Sequence, residues 1–379
     1  MKRLVALAGA APAMSSATEL DVTVVQDHIA QRGGAERVLR SLKRLPVASL
    51  TVRTSVYVAE RTYPELAELD IRPMWFSRLP TIRRNHRRAF PLMAPAFALA
   101  KTSTPLTLCC TAGWSHGVRT SGRKVAYWFA PARWIHQRPE YVGSEGAVAR
   151  FIHAVAPILD WFDRRAVSTI DRHLAVSHEV ADRLQRTYGI EAEVLHPPVV
   201  LDAPPEPFHG IEGPFIILVS RLIGYKNVDI VIKAFRELPD LTLYVVGDGP
   251  LRAELEKLAG ENVRFTGTVT DGQLATLYGS CEALVTAAFE DFGLTPVEAA
   301  LFGKPSAALR AGGLLESVQE GVTGVFFDEA TPASVARGVR KVLDGSWDHD
   351  KIRQHAAIFG EDAFLERLHT VLLVEAQHE

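Results

Sequence analysis

From Leu20 onward, short apolar runs alternate with longer stretches in which apolar residues recur every three or four positions. The short runs read as buried strands and the long ones as amphipathic helices, which together predict a parallel sheet covered on both faces. LDVTVVQ (20–26) is the first such strand, followed by a loop ending in Gly33-Gly34 and the helix AERVLRSLKRL. Further strands are predicted at 48–56, 105–110, 124–129 and 172–177, and helices at 146–167 and 180–189, the last closing at Gly189.

The pattern then stops. In PPVVLDAPPEPFHGIEGP (197–214), six of the eighteen residues are proline, which excludes regular structure and marks a linker. Beyond it the alternation restarts. Strands are predicted at 215–220, 241–247, within NVRFTG and EALVTAA, at KPSAAL and at 324–327. Helices are predicted at 228–238, 251–259 and 271–280, after Phe292, and towards the C-terminus. The division expected is a leader (1–19), a first Rossmann-like domain (20–197), a linker (198–213), a second Rossmann-like domain (214–350) and C-terminal helices (351–379) that can cross back to the first. Two such domains make the cleft between them the natural ligand site.

Composition narrows this picture. A chain of 379 residues exceeds one ordinary core. Net charge of -2 gives no global drive toward nucleic acid, and none is expected as a partner. Cys109, Cys110 and Cys281 are too few and too scattered for a disulfide framework or a zinc site, so a reducing, cytoplasmic setting is expected. MKRLVALAGAAPAMSSA has the outline of a secretory signal, but Gly9 and Pro12 break its apolar stretch; it is read as a disordered leader.

Four stretches carry candidate chemistry. In QRGGAERV, Gly33 and Gly34 sit where a strand turns into a helix, so their amides suit an anion; a plain tight turn explains them equally well. SRLIGYKN places Arg221 and Lys226 at the end of a strand, where two cations suit a diphosphate leaving group; a solvated loop is the competing reading. In FEDFGLTPVEAALFGKP, Thr295, Pro296 and Glu298 fit a capping box, with threonine at the N-cap and glutamate three residues on. The same helix start, preceded by Gly293, offers amides to phosphate, with Glu298 in reach of a ribose and Glu290 of a sugar hydroxyl.

The fourth stretch, MWFSRLPTIRRNHRRAF (74–90), interleaves Arg78, Arg83, Arg84, Arg87 and Arg88 with Trp75, Phe76 and Phe90. It suits an anionic membrane or a polyphosphate lipid, or is simply a solvated helix face. Other signals fail. Asp291-Phe292-Gly293 lacks the companion motifs of a kinase, and Asp348-His349-Asp350 lies in a polar loop.

Taken in order, RGGAERV, GWSHGVRT (113–120), YWFAPARWIH (127–136), LVSRLIGYKNVD, VVGDGPLR, FTGTV and FEDFGLTPVEA resemble the retaining glycosyltransferases of family 4. The resemblance covers roughly residues 20 to 345 and implies the GT-B fold of two facing Rossmann-like domains. It implies that Arg221 and Lys226 bind the donor diphosphate, that Glu290 holds the transferred sugar and that Glu298 holds the ribose. Gly33, Gly34, Phe292, Gly293, Leu294 and Thr295 would receive phosphate, and Gly267 and Val269 would lie by the base. His116, Phe129 and Arg133 would stand on the acceptor side.

Such enzymes generally need no metal and no cofactor beyond the nucleotide sugar. The members most similar in pattern are bacterial mannosyltransferases using GDP-mannose on lipid-linked glycans, which would put the protein at the inner face of a membrane. One departure stands out: Phe129 occupies the place of a histidine in relatives with a similar first half, and cannot hydrogen-bond a sugar. A soluble natural-product acceptor, or a silent nucleotide-sugar-binding protein, therefore stays open.

Overall fold

The computed structural model describes residues 18–136 and 147–378, apart from the side chains of residues 18, 19, 87, 88, 91, 133, 134 and 147–154. Most of the expected leader, and the side chains of Arg87, Arg88 and Arg133, thus lie outside the described residues.

Two parallel sheets carry the fold. The first contains β1 (Thr18–Gln26), β2 (Val47–Thr54), β3 (Asp70–Pro73), β4 (Leu106–Thr111), β5 (Arg123–Trp128), β6 (Arg172–Ala175) and β7 (Glu193–Val194), in the order β3-β2-β1-β4-β5-β6-β7. The second contains β8 (Phe215–Val219), β9 (Thr242–Val246), β10 (Val263–Gly267), β11 (Ala283–Thr286), β12 (Ser306–Leu309) and β13 (Gly324–Phe327), in the order β10-β9-β8-β11-β12-β13. Both orders reverse direction beside the first strand of their domain. In open parallel sheets this switch point opens a crevice at the carboxyl ends of the strands. The architecture is the GT-B fold, with the crevices of two Rossmann-like domains turned toward each other.

Strands β4 and β11, at the middle of the two sheets, are buried along their whole length because helices cover both faces. Leu106 to Thr111 are all buried, as are Ala283 to Thr286. The two edge strands that periodicity did not pick out, β3 and β7, are short and polar. Their sequences, Asp-Ile-Arg-Pro and Glu-Val, carry no apolar run. Residues 195–214 contain no helix or strand. The helix His178–Tyr188 is closed as expected by Gly189 in the left-handed conformation (φ 72°).

The C-terminal helices divide between the domains. The helix His349–Ala357 packs Ile352 and Ala356 against Phe292 and Val297 of the second domain. After Gly360, the helix Glu361–Ala376 crosses back and seats Phe364, Leu365, Leu368, Val371 and Leu372 in the core of the first.

Candidate active site

The carboxyl end of β8 runs into residues Ser220 to Asn227. Asn227 adopts a left-handed conformation (φ 53°) and its side-chain amide donates to the Ala287 carbonyl at 2.8 Å, tying this loop to the end of β11. The loop thereby holds Lys226 against Glu290: Nζ lies 2.6 and 2.7 Å from the two carboxylate oxygens, with both side chains half-buried. The two residues singled out as donor ligands are therefore partners of each other. Arg221 remains exposed, bonded to the Tyr225 hydroxyl at 2.9 Å and approaching Gln31 of the first domain at 3.5 Å.

Opposite stands the Gly-Gly turn. Gly33 is the extended N-cap of the helix Gly34–Leu42. A Cβ on Gly34 would meet Leu294 Cδ1 at 2.8 Å, so the turn abuts the start of the helix Leu294–Leu301 in the second domain. Gly293, left-handed at φ 90°, is the N-cap of that helix, and no side chain caps it. Thr295 is consequently not the N-cap, and the capping-box reading is corrected. The helix starts two residues earlier than the Thr-Pro pair suggests, because glycine takes this backbone conformation without strain.

Glu298 is likewise not a cap. It is buried at the domain junction, with Arg37 of the first domain on Oε1 and the Tyr278 hydroxyl donating to Oε2 at 2.8 Å. Arg37 is further held by the Tyr63 hydroxyl at 2.9 Å.

Glycines that carried no signal in the sequence shape the loop that bears Glu290. A Cβ on Gly313 would fall 2.3 Å from the Asp291 carbonyl oxygen and the Phe292 Cα, and one on Gly312 would fall 2.5 Å from the Glu290 carbonyl oxygen. The Gly313 amide donates to that same Glu290 carbonyl at 2.9 Å, so the glycine pair backs the loop bearing Glu290. Asp291 receives Arg183 of the first domain at 2.8 Å, and its carbonyl accepts from Ser177. Phe292 turns its ring inward against His196 and Phe359, leaving only its backbone near the site.

A second latch joins the domains beside this loop. Glu316 accepts from His178 Nδ1 at 2.8 Å, from His196 Nε2 at 2.9 Å and from the backbone amides of His178 and Glu179. Burial alone would raise its pKa, but the two imidazoles and the amides outweigh it and hold the carboxyl down to about 2.

Gly267 is left-handed (φ 72°) and accepts at its carbonyl from the Gly247 amide at 2.9 Å. A Cβ on Gly267 would lie 2.9 Å from Arg252 Nη1, while Val269 packs partly buried against the domain core.

The acceptor-side candidates fare differently. His116 is fully buried, with Nδ1 3.0 Å from the Thr111 hydroxyl and Nε2 3.0 Å from Asp163. It does not face the cleft, and its assignment there is corrected. Asp163 also takes His136 at 3.0 Å and the Tyr188 hydroxyl at 2.5 Å. Burial opposes its charge, yet these partners hold Asp163 well below the usual carboxylate range. Phe129 stands half-buried against Tyr127 at the end of β5. The loop before His116 is organised by buried Asp27, whose carboxylate accepts the amides of Ala112, Trp114 and Ser115 at 2.7, 2.6 and 2.8 Å.

Glu36 was not anticipated. It is fully buried behind the Gly33 turn, and neither carboxyl oxygen has a well-formed partner. Burial pushes its pKa from 4.5 up to about 7, with nearby amides and Arg221 offsetting only part. An acid raised on folding costs stability once the unfolded chain ionises. The penalty is absent below about pH 4.5 and grows until about pH 7. Glu36→Gln is expected to remove it, giving a variant stabilised at about pH 8 by on the order of 3 kcal/mol relative to its effect at pH 4.5. Denaturant midpoints at the two pH values check this.

Comparison with known proteins bears on these loops. Residues 205–359, which contain the Arg221, Lys226, Glu290 and Glu298 positions, match the family described as Glycosyl transferases group 1. The match covers less than half of the chain and ends at Phe359, just before the chain crosses back to the first domain. An alpha-D-kanosaminyltransferase of Streptomyces kanamyceticus is 25% identical over 238 residues, covering 56% of this chain and 62% of that protein. The chain thus spans less than two thirds of that relative. A D-inositol 3-phosphate glycosyltransferase of Streptomyces avermitilis is 26% identical, covering 92% of both chains. Among solved structures, Alr3699/HepE of Anabaena in complex with UDP and glucose shares the fold at TM-score 0.66 and 18% identity, covering 93% of this chain and 99% of that one.

Proposed function

We propose that this protein transfers a hexose from a nucleotide-diphosphate sugar to a hydroxyl acceptor, with retention of anomeric configuration and without a metal ion. The observation that carries the reading is the Lys226–Glu290 pair beside Arg221, opposite the Gly33-Gly34 turn and the uncapped start of the helix Leu294–Leu301. In the reaction, the bond from the anomeric carbon to the β-phosphate oxygen breaks while the acceptor oxygen bonds to the same face of that carbon. The acceptor proton passes to the departing phosphate, so no separate base is needed.

Arg221 and Lys226 neutralise the charge that builds on that phosphate, where positioned cations count most. Amides at Gly33, Gly34 and Gly293 to Thr295 receive the phosphates. Glu290 orients the sugar hydroxyls while steadying Lys226. Glu298 holds the ribose once the nucleotide displaces its contact with Arg37, and Gly267 and Val269 border the base.

The donor expected from the sequence resemblance is GDP-mannose, and the acceptor a lipid-linked glycan. A soluble, hydroxyl-rich acceptor is the second reading. It is favoured by the name of the inositol 3-phosphate glycosyltransferase relative and by Phe129, an apolar residue at the acceptor side. Thermal-shift measurement with GDP, UDP, TDP and ADP tests the donor half: one diphosphate is expected to raise the melting temperature, since it binds only the folded chain. No rise with any of the four would count against nucleotide-sugar binding of every kind.

A further inference from the structure

Two helical segments of the first domain turn apolar side chains to solvent. In the segment Trp75–Leu99, Trp75 is 72% exposed and Leu99 73%, with Leu79 and Leu92 exposed between them. In the helix Ala147–Val167, Trp161 is 57% exposed, flanked by exposed Ile158 and Phe162. Positions 158, 161, 162 and 165 fall on one stripe of that helix, opposite the buried Asp163 and Val167. Both segments pack on the turn Ser115–Gly117: Phe97 and Ala166 Cβ atoms lie 3.7 and 4.0 Å from where a Cβ on Gly117 would stand. Right-handed crossovers also put the helices that lead into β4 and β6 on the same side of the sheet. Their outward stripes are therefore neighbours.

The first of these segments lies in a stretch of sequence whose charges are all of one sign. Residues 71–139 hold ten arginines and two lysines and not one aspartate or glutamate, in a chain whose net charge is -2. Arg83 is drawn to Glu60 at 2.9 Å and is not available. Arg78 and Arg84 are exposed with no carboxylate partner among the described residues, and so are Lys101 and Arg119 beside the end of the first segment, where Arg119 donates to the Leu99 carbonyl at 3.1 Å. Arg165 lies over the Trp161 ring at 5.9 Å. Exposed tryptophans on segments that also carry unpaired cations suit the headgroup region of an anionic bilayer, where the ring is half-wet and the cation meets phosphate.

The face also borders the cleft. The segment begins where β3 ends, at the carboxyl edge of the sheet, and His86 stacks on His28 just beyond the end of β1, ring centroids 4.6 Å apart. We propose that this two-helix face seats the first domain on an anionic lipid bilayer, so that the cleft opens toward acceptors anchored there. The proposal extends the lipid-linked acceptor reading above and rests on it only for the acceptor. Docking itself needs no donor.

The test is co-sedimentation of the full chain with phosphatidylcholine vesicles, with and without phosphatidylglycerol, at near-physiological salt and without nucleotide sugar. Partitioning is expected only onto the anionic vesicles and is expected to weaken as salt rises. The double variants Trp75→Ser/Trp161→Ser and Arg78→Glu/Arg84→Glu should each lower it by about tenfold or more, with unchanged melting temperatures as the control for folding. No partitioning onto anionic vesicles, or equal partitioning by the variants, overturns the proposal. So does self-association through this face, seen as a dimer in light scattering that the tryptophan variant abolishes. Vesicle binding by a chain that turns over no donor would instead count against the transferase reading and leave the docking face standing.

Discussion

Replacing Glu290 by alanine is expected to lower sugar transfer by about a thousandfold while nucleotide-diphosphate binding survives. The separation follows from where the carboxylate sits. It is on the loop backed by Gly312 and Gly313, 2.6 Å from Lys226, and not among the amides proposed to take phosphate. Without it, Lys226 keeps its charge and its reach to the diphosphate but loses the partner that fixes its position, and the sugar hydroxyls lose their acceptor. Lys226→Ala is expected to differ in kind, weakening nucleotide binding and transfer together. Initial rates alongside calorimetric titration with the nucleoside diphosphate separate the two. Transfer that persists in Glu290→Ala would show that the residue does not hold the sugar.

Arg37→Ala is expected to produce the largest loss of stability, about 3 kcal/mol or more. Removing one member of a buried ion pair leaves the other charge desolvated and unpaired. Glu298 is buried and its only other partner among the described residues is the Tyr278 hydroxyl, which cannot neutralise it. The cost should appear as an earlier denaturant midpoint. Because the two residues sit in different domains, it should also appear as a looser closed state in small-angle scattering. The double variant Arg37→Ala/Glu298→Gln is expected to recover part of the loss, since the orphaned charge is gone. Equal midpoints for wild type and Arg37→Ala would mean that the pair does not hold the domains together.

The fold was legible because burial leaves a periodic trace. Strands covered on both faces are buried along their length and therefore mostly apolar, as 106–111 and 283–286 are, and the helices between them must be apolar on one side. The proline-rich linker was equally legible. The edge strands β3 and β7 were not, since a short polar strand owes its conformation to its neighbour rather than to its own residues.

The candidate site divides in the same way. Arg221, Lys226, Glu290 and the two glycine-led turns come together because loops at strand ends have fixed places in this architecture. Partners contributed by distant segments could not. The Thr295–Glu298 spacing fits a local cap, but Arg37 and Tyr278 claim the carboxylate instead. His116 stands near a strand end as a ligand would, yet Asp163 from the helix Ala147–Val167 draws it into the core. Arg183, Glu316 and Asp27 gave no local signal at all, because each acts through a loop far away in sequence.

The measurement that bears most directly on the central claim is turnover of a panel of nucleotide sugars in the presence of EDTA, followed as release of nucleoside diphosphate with and without acceptor. One donor is expected to be turned over, with release accelerated by acceptor and unaffected by the chelator. No turnover of any donor, or strict dependence on an added divalent cation, would contradict a metal-independent glycosyl transfer at the Lys226–Glu290 site.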